Sequence, residues 1–210
     1  MSARGGFTVL ELLVAASAAL LILAAVGSFS RAEGRMVDRE ARRLRLREAS
    51  RRVVETIARE IRGAGFAPAA GSFDGLVDGV AVAALDRIEL RSDLHGITAA
   101  DPPDGVLDVD SDERIAFFSN PTRGIVSESV GRQTLPLTLE SMVAAGGLAF
   151  RYLDACGDDV SPPAGSELSA DERARIRSVV VRLTVVEPAV ASVGAEVSAA
   201  LRNREKLRCE

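Results

Sequence analysis

Residues 7–29 constrain this chain more than any other part of it: 18 of these 23 positions are apolar, and the one charge among them is Glu11. As a helix, that length spans roughly 34 Å at about 1.5 Å per residue, slightly more than the ~30 Å hydrocarbon core of a bilayer. A surface helix of a soluble domain keeps a polar stripe for water, and this stretch has none. A secretory signal peptide needs a basic leader and a short apolar region that ends at an Ala-x-Ala-like site. Ala16-Ser17-Ala18 imitates such a site, but the apolar run continues past it, the leader offers only Arg4, and a carboxylate interrupts the apolar region. The stretch therefore reads as a retained membrane-spanning helix. Glu11 is its costly residue, because an isolated carboxylate in hydrocarbon costs roughly 2.5–3.5 kcal/mol on insertion scales. It either reaches the interface from the helix end, four residues after Phe7, or has a partner within the membrane.

Residues 31–62 keep a helical rhythm without proline. Val37, Ala41 and Leu44, then Leu46, Ser50, Val53, Ile57 and Ile61, recur at three- and four-residue spacing and make one apolar stripe. The other faces carry 11 Arg and 6 acids, a local charge of +5, with Asp38/Arg42, Glu48/Arg52 and Glu55/Arg59 at i,i+4 spacing. Such pairs stabilise a helix by a few tenths of a kcal/mol each. Gly63-Ala64-Gly65 then stops it. A solvated, ion-paired face is the simplest reading of this charge; anionic lipid headgroups beside Arg31 and Arg35, or DNA, are the alternatives. DNA is disfavoured, because no aromatic residue is interleaved for base stacking and the whole chain, at -4, has no basic excess. The arginines adjoin the apolar helix on the side that the positive-inside rule assigns to the cytoplasm, so charge alone leaves the orientation open.

Residues 63–210 carry 14 basic and 23 acidic groups, a charge of -9. Short alternating runs at 79–85, 87–91, 114–119, 147–153 and 177–186, separated by Gly, Asp and Pro, predict antiparallel strands. A short helix is expected at 168–176. A long helix leading into antiparallel strands is an α+β architecture, with the carboxyl-terminal half of the helix packing its stripe on the sheet.

At the amino terminus, Gly5-Gly6-Phe7-Thr8-Val9-Leu10-Glu11-Leu12-Leu13-Val14-Ala15 resembles the prepilin signature of type IV pilins and type II secretion pseudopilins, G-F-T-L-x-E before a long apolar helix. The resemblance implies cleavage by a prepilin peptidase between Gly6 and Phe7, N-methylation of Phe7, and retention of the apolar helix. It also implies that Glu11 pairs with the terminal amine of a neighbouring subunit and so sets filament register. The layout implied is a pilin-like lollipop: a removed leader at 1–6, a transmembrane and filament-core helix at 7–30, an amphipathic basic stalk helix at 31–62, and an exported β-rich head at 63–210. A finer resemblance, to PilW-type minor pilins and J-type pseudopilins, rests on Ile57-Ala58-Arg59-Glu60-Ile61-Arg62-Gly63-Ala64-Gly65-Phe66, with support from 87–94, 148–152 and 201–204.

The function thereby implied is that of a minor type IV pilin, a structural subunit and not an enzyme, that helps initiate or cap pilus assembly in motility or adhesion. Implied partners are the membrane, the major pilin, other minor pilins, the prepilin peptidase, an inner-membrane assembly platform and a tip adhesin. Implied locations are the inner membrane with a periplasmic head before assembly, and the pilus base or tip after it. The alternatives are a J-type minor pseudopilin of a type II secretion system, and a membrane-anchored module for DNA uptake or calcium-dependent binding.

The head offers few chemical sites. Asp108, Asp110 and Asp112 have the D-x-D-x-D start of a calcium loop, but Glu113 stands where an EF-hand needs Gly and Ser119 where it needs Glu. A solvated acidic turn is the reading preferred to a weak Ca²⁺ site, and no other cofactor is expected. Related sequences often have an acidic D-L-N-G-D turn where this one has Asp93-Leu94-His95-Gly96-Ile97, which argues against ion binding there. His95 is alone and reads as a surface turn residue. The pilin resemblance implies that Cys156 and Cys209, both on the exported side, form a disulfide; it would close a 54-residue loop worth roughly 4 kcal/mol of chain entropy. No nucleophile elbow, zinc signature, redox pair or phosphate loop occurs, so no catalytic constellation is expected.

Overall fold

One unbroken helix of 55 residues, α1 (Val9–Gly63), opens the fold in a computed structural model that describes residues 8–66, 79–96, 98, 101–108, 110–187 and 190–202. The chain divides into two compact units between Leu44 and Arg45. In the first unit the helix is apolar all round as far as Phe29, and its large side chains, from Val9 to Phe29, are exposed. Its hydroxyls are satisfied internally: Ser17 and Ser28 donate to carbonyls three or four residues back, with Ser28 Oγ 2.8 Å from the Ala25 oxygen. A helix in hydrocarbon needs this closure of polar groups within itself.

The second unit holds the rest of α1, two antiparallel sheets and a short helix. One sheet has five strands in the order β1 (Val80–Ala83), β2 (Arg87–Arg91), β3 (Arg114–Asn120), β4 (Ile125–Val130) and β5 (Gln133–Pro136). The other has three, β6 (Val143–Leu153), β7 (Ser178–Glu187) and β8 (Val190–Ala200). All neighbours in both sheets are antiparallel. Between β6 and β7 lies α2 (Ala170–Arg175), started by a capping box in which Ser169 and Glu172 satisfy each other's amides. The α+β class expected from sequence is thus found, as are strands at all five expected runs and the short helix. Among the described residues the head carries two sheets where one was expected, because β1–β3 pair in one and β6–β7 in the other; β4, β5 and β8 are strands that the alternation did not reveal.

The apolar stripe of α1 is buried from Leu46 onward: Leu46, Ser50, Val53, Val54, Ile57, Ala58 and Ile61 are covered, whereas Val37 and Leu44 stay exposed. Val54, Ile57 and Ile61 join Ile88, Phe117 and Val126 of the larger sheet and Leu148, Phe150, Val181 and Leu183 of the smaller in one core. Full burial of each such aliphatic side chain contributes about 1.5–3 kcal/mol. The sheets are also tied by directional bonds at the β1–β2 turn. Tyr152, the one tyrosine of the chain and fully buried on β6, donates its hydroxyl to the Ala84 carbonyl at 2.8 Å. The Phe150 amide donates to Leu85 and the Leu168 amide to Ala83, at 2.8 and 3.0 Å.

Removing the Tyr152 hydroxyl leaves the shape of the ring but strands a buried carbonyl. Tyr152→Phe is therefore expected to cost about 1–3 kcal/mol. Urea unfolding of the full chain in detergent micelles should show this as a lower midpoint with an unchanged slope.

Candidate functional site

At the start of α1, Thr8 and Glu11 form a capping box. The Thr8 amide and hydroxyl donate to Glu11 Oε2 at 2.9 and 3.0 Å, and the Glu11 amide lies 3.3 Å from Thr8 Oγ1. The first amides of a helix have no partner within it, and a Thr-x-x-Glu pair satisfies two of them reciprocally. The sequence left Glu11 either reaching the interface or finding a partner within the membrane, and the pilin resemblance implied a partner on a neighbouring subunit. The Thr8-Val9-Leu10-Glu11 spacing was the signal for a partner within the same chain. Gly6 and Phe7, the expected cleavage and methylation positions, lie outside the described residues. The helix that follows is long and apolar enough to cross a membrane, with a mean hydropathy of 2.6 over 18 residues. A membrane anchor at the amino terminus is compatible with it.

Along the stalk, Glu48 and Arg52 form the expected ion pair. Glu55 turns the other way and takes Arg51, at 2.7 Å, in place of Arg59. Among the described residues Asp38 and Arg42 form no ion pair. All these groups are exposed, so exchanging one such partner for another changes stability by less than about 1 kcal/mol.

The three aspartates of the calcium-like run sit on one loop but are drawn to three different partners. Asp108 Oδ1 accepts the Asp110 amide at 3.0 Å. Asp110 accepts a forked bond from Arg132, with Nε 2.8 Å from Oδ1, and this guanidinium holds its carboxyl below the usual range. Asp112 accepts from His95 Nε2 at 2.7 Å. Among the described residues, no group of three or more His, Cys, Asp or Glu is placed to hold a metal ion. The neighbour Glu113, which broke the EF-hand pattern, organises the loop instead. It is buried and accepts the amides of Leu94, His95 and Asp108 at 2.8, 3.1 and 2.7 Å.

His95 is more constrained than a surface turn residue. Its side chain is 12% exposed, with Nδ1 2.8 Å from the Gly96 carbonyl and Nε2 on Asp112. Both ring nitrogens face acceptors, and only the imidazolium donates from both. The Gly96 carbonyl first, and then the Asp112 carboxylate, push its pKa up to about 8.

A second charged cluster lies on the opposite face of β2 from the core residues Ile88 and Leu90. Glu89 is buried and receives a fork from Arg114, Nε to Oε1 at 2.9 Å and Nη2 to Oε2 at 3.0 Å, with Arg87 and Arg91 at 3.4 Å. Burial pushes its carboxyl up, but Arg114 and Arg91 more than offset that and hold it below the usual carboxylate range. The sequence signal for this cluster is the Arg-x-Glu-x-Arg alternation at 87–91, which puts three charges on one strand face. Glu89 is bonded by all three guanidinium groups, and the chemistry of the cluster is that of a structural ion pair. Cys156 lies in the turn after β6, where its amide donates to Asp154 Oδ1 at 2.9 Å, and it is disulfide-bonded. Cys209, the partner expected for it, lies outside the described residues.

No protein-family model, no curated protein and no solved structure matches this chain. The functional reading rests on the residues and their placement.

Because folding raises the His95 pKa, the charged ring contributes its full stabilisation below its ordinary value of 6.5. That contribution is lost as pH rises through about 8. Imidazole resonances followed by NMR should titrate near that pH, and Asp112→Asn should move the midpoint down. A wild-type midpoint at the ordinary value would contradict the two-acceptor geometry.

Proposed function

We propose that the chain is a minor type IV pilin: an inner-membrane protein cleaved after Gly6 and methylated at Phe7, then drawn into the pilus. There it helps initiate or cap assembly among the major pilin, other minor pilins and a tip adhesin. One observation carries this reading. A single uninterrupted helix begins apolar and uncovered on every face and ends with one face buried in a β-rich head. A helix uncovered by its own chain needs lipid before assembly and neighbouring helices after it. Both belong to a subunit that is stored in a membrane and then joins a filament core. The leader lies inside and the head outside in this reading, which sets Arg31 and Arg35 against the headgroups of the outer leaflet.

Glu11 has two roles in this scheme. In the single chain it caps the helix through Thr8. In the filament its charge takes the methylated amine of a neighbouring Phe7, where a lost partner leaves the other charge buried and unpaired. Substitution separates the two roles, because glutamine keeps the capping geometry and removes the charge. Glu11→Gln should insert in the membrane normally, yet enter filaments on the order of a hundredfold less often. Thr8→Ala should weaken the helix start by about 1 kcal/mol and leave incorporation near normal. Immunoblots of sheared pili against membrane fractions measure both, and wild-type incorporation of Glu11→Gln would remove the register role. The Cys156–Cys209 pairing belongs to the same proposal, and non-reducing peptide mapping is expected to recover the two cysteines in one linked fragment.

A further inference from the structure

A sheet edge presents unpaired backbone donors and acceptors, and folded proteins guard such edges by shortness, proline, charge or irregularity. Three of the four edge strands in the head are guarded in this way or already bonded. β1 and β5 have 4 residues each, and β5 ends at Pro136. β6 has 11 residues, but its outer edge is occupied: the Phe150 amide donates to Leu85, the Tyr152 amide to Ser161 Oγ, and the Tyr152 carbonyl accepts the Val160 amide. β8 is different: it has 11 residues, no proline and one charge, its register shift is confined to the end where Glu187 pairs Val190, and among the described residues its only backbone partner is β7. That charge, Glu196, is turned across the sheet onto Arg182 at 2.8 Å. Gly194, Ala195, Ser198 and Ala200 are small, so little side-chain bulk shields the backbone.

A cavity of about 430 Å³ runs beside this edge, with Arg47, Arg51, Val54 and Glu55 of α1 on one wall and the four consecutive residues from Gly194 to Val197 on the other. Successive strand residues point to opposite faces. A cavity that touches four in a row therefore lies along the edge, where the open amides and carbonyls are, and not on either face. The helical wall is basic and available. Arg47 makes no ion pair among the described residues, and the Arg51–Glu55 pair, with side chains 77% and 50% exposed, is of the kind that exchanges at little cost. Arg47 and Arg51 are one turn apart, a rise of about 6 Å. Residues two apart on an extended strand are about 6.6–6.8 Å apart, so side chains of one face match that spacing.

We propose that this edge accepts an extended acidic segment of a partner protein as a fourth strand of the β6–β7–β8 sheet. Its backbone pairs with β8, and carboxylates at alternate positions meet Arg47 and Arg51. Affinity comes from the main-chain ladder and selectivity from the two guanidinium groups, as in other cases of strand addition. The surface is independent of the filament reading, and its test needs no pilus.

The probe is the synthetic peptide acetyl-Thr-Val-Glu-Val-Glu-Val-Thr-amide, added to the full-length protein in detergent micelles. Amide hydrogen exchange is then read by residue. The expected result is about tenfold slower exchange for alternate amides of β8. The slowing should be absent with the same peptide carrying Lys in place of Glu, and absent in the Arg47→Glu, Arg51→Glu double variant, whose helical circular dichroism should match the wild type. No slowing in β8 up to millimolar peptide would overturn the proposal. So would slowing confined to β1, β5 or β6, or slowing that is the same with the Lys peptide or in the double variant.

Discussion

Both sheets of the head depend on one contact, the burial of the α1 face between Leu46 and Ile61. An open antiparallel sheet has one apolar face and one wet face, and neither a five-stranded nor a three-stranded sheet closes a core alone. Ile57, Ala58 and Ile61 are wholly buried and share their cluster with residues from both sheets. The stripe even contains a serine, Ser50, which is buried without penalty because its hydroxyl returns to the Arg47 carbonyl at 3.0 Å. The same helix therefore has two environments built into its sequence. It is one-sided from Leu46 to Ile61, where protein covers it, and apolar on all sides from Val9 to Phe29, where no other described residue does.

Apolar packing places the elements, while a few polar groups fix their alignment. Tyr152 ties the smaller sheet to the first turn of the larger one. Glu113 does the corresponding work for the long connection between β2 and β3, where one buried carboxylate gathers three amides from residues on both sides of the loop. The described residues of this loop are thereby held by a side chain whose neighbours, Asp112 and Arg114, point elsewhere, to His95 and Glu89.

What was legible in the sequence follows the strength of its periodicities. The stripe from Leu46 to Ile61 repeats over several turns, and Val179 to Val185 alternate with large apolar residues, so both elements stood out. β8 did not, because Ala, Ser and Gly are poor strand formers and carry little pattern. It becomes a strand through its partner, with Val181 opposite Val197, Leu183 opposite Ala195 and Val185 opposite Val193. Val37 and Leu44 read as part of the stripe yet stay exposed, since spacing reports which side of a helix is apolar and not where its cover ends. The fates of the aspartates were illegible for another reason. Arg132 reaches Asp110 across 22 residues and His95 reaches Asp112 across 17, and only the strand register brings them together. The Thr8–Glu11 cap, in contrast, was within reach of a reading at four-residue range.

The uneven charge of the chain, +5 on residues 31–62 against -9 on 63–210, takes on a sharper meaning once the partners are known. Many acids of the head are committed to the backbone. Glu113 holds three amides, Asp93 holds Gly105, Asp104 holds Val106, Asp154 holds Cys156 and Asp158, and Asp159 holds Ser161. They still contribute to the field around the head, but that field fades over about 8 Å at physiological salt, and at least one oxygen of each is already engaged. The stalk arginines are in the opposite position. Among the described residues only Arg51 and Arg52 of residues 31–62 form ion pairs, both with exposed acids of the same helix. A guanidinium recognises carboxylates through a fixed fork of donors, so an uncommitted one retains directional capacity that a committed carboxylate has lost. The capacity for directional recognition of charge therefore lies more with the arginines of the helix than with these acids of the head.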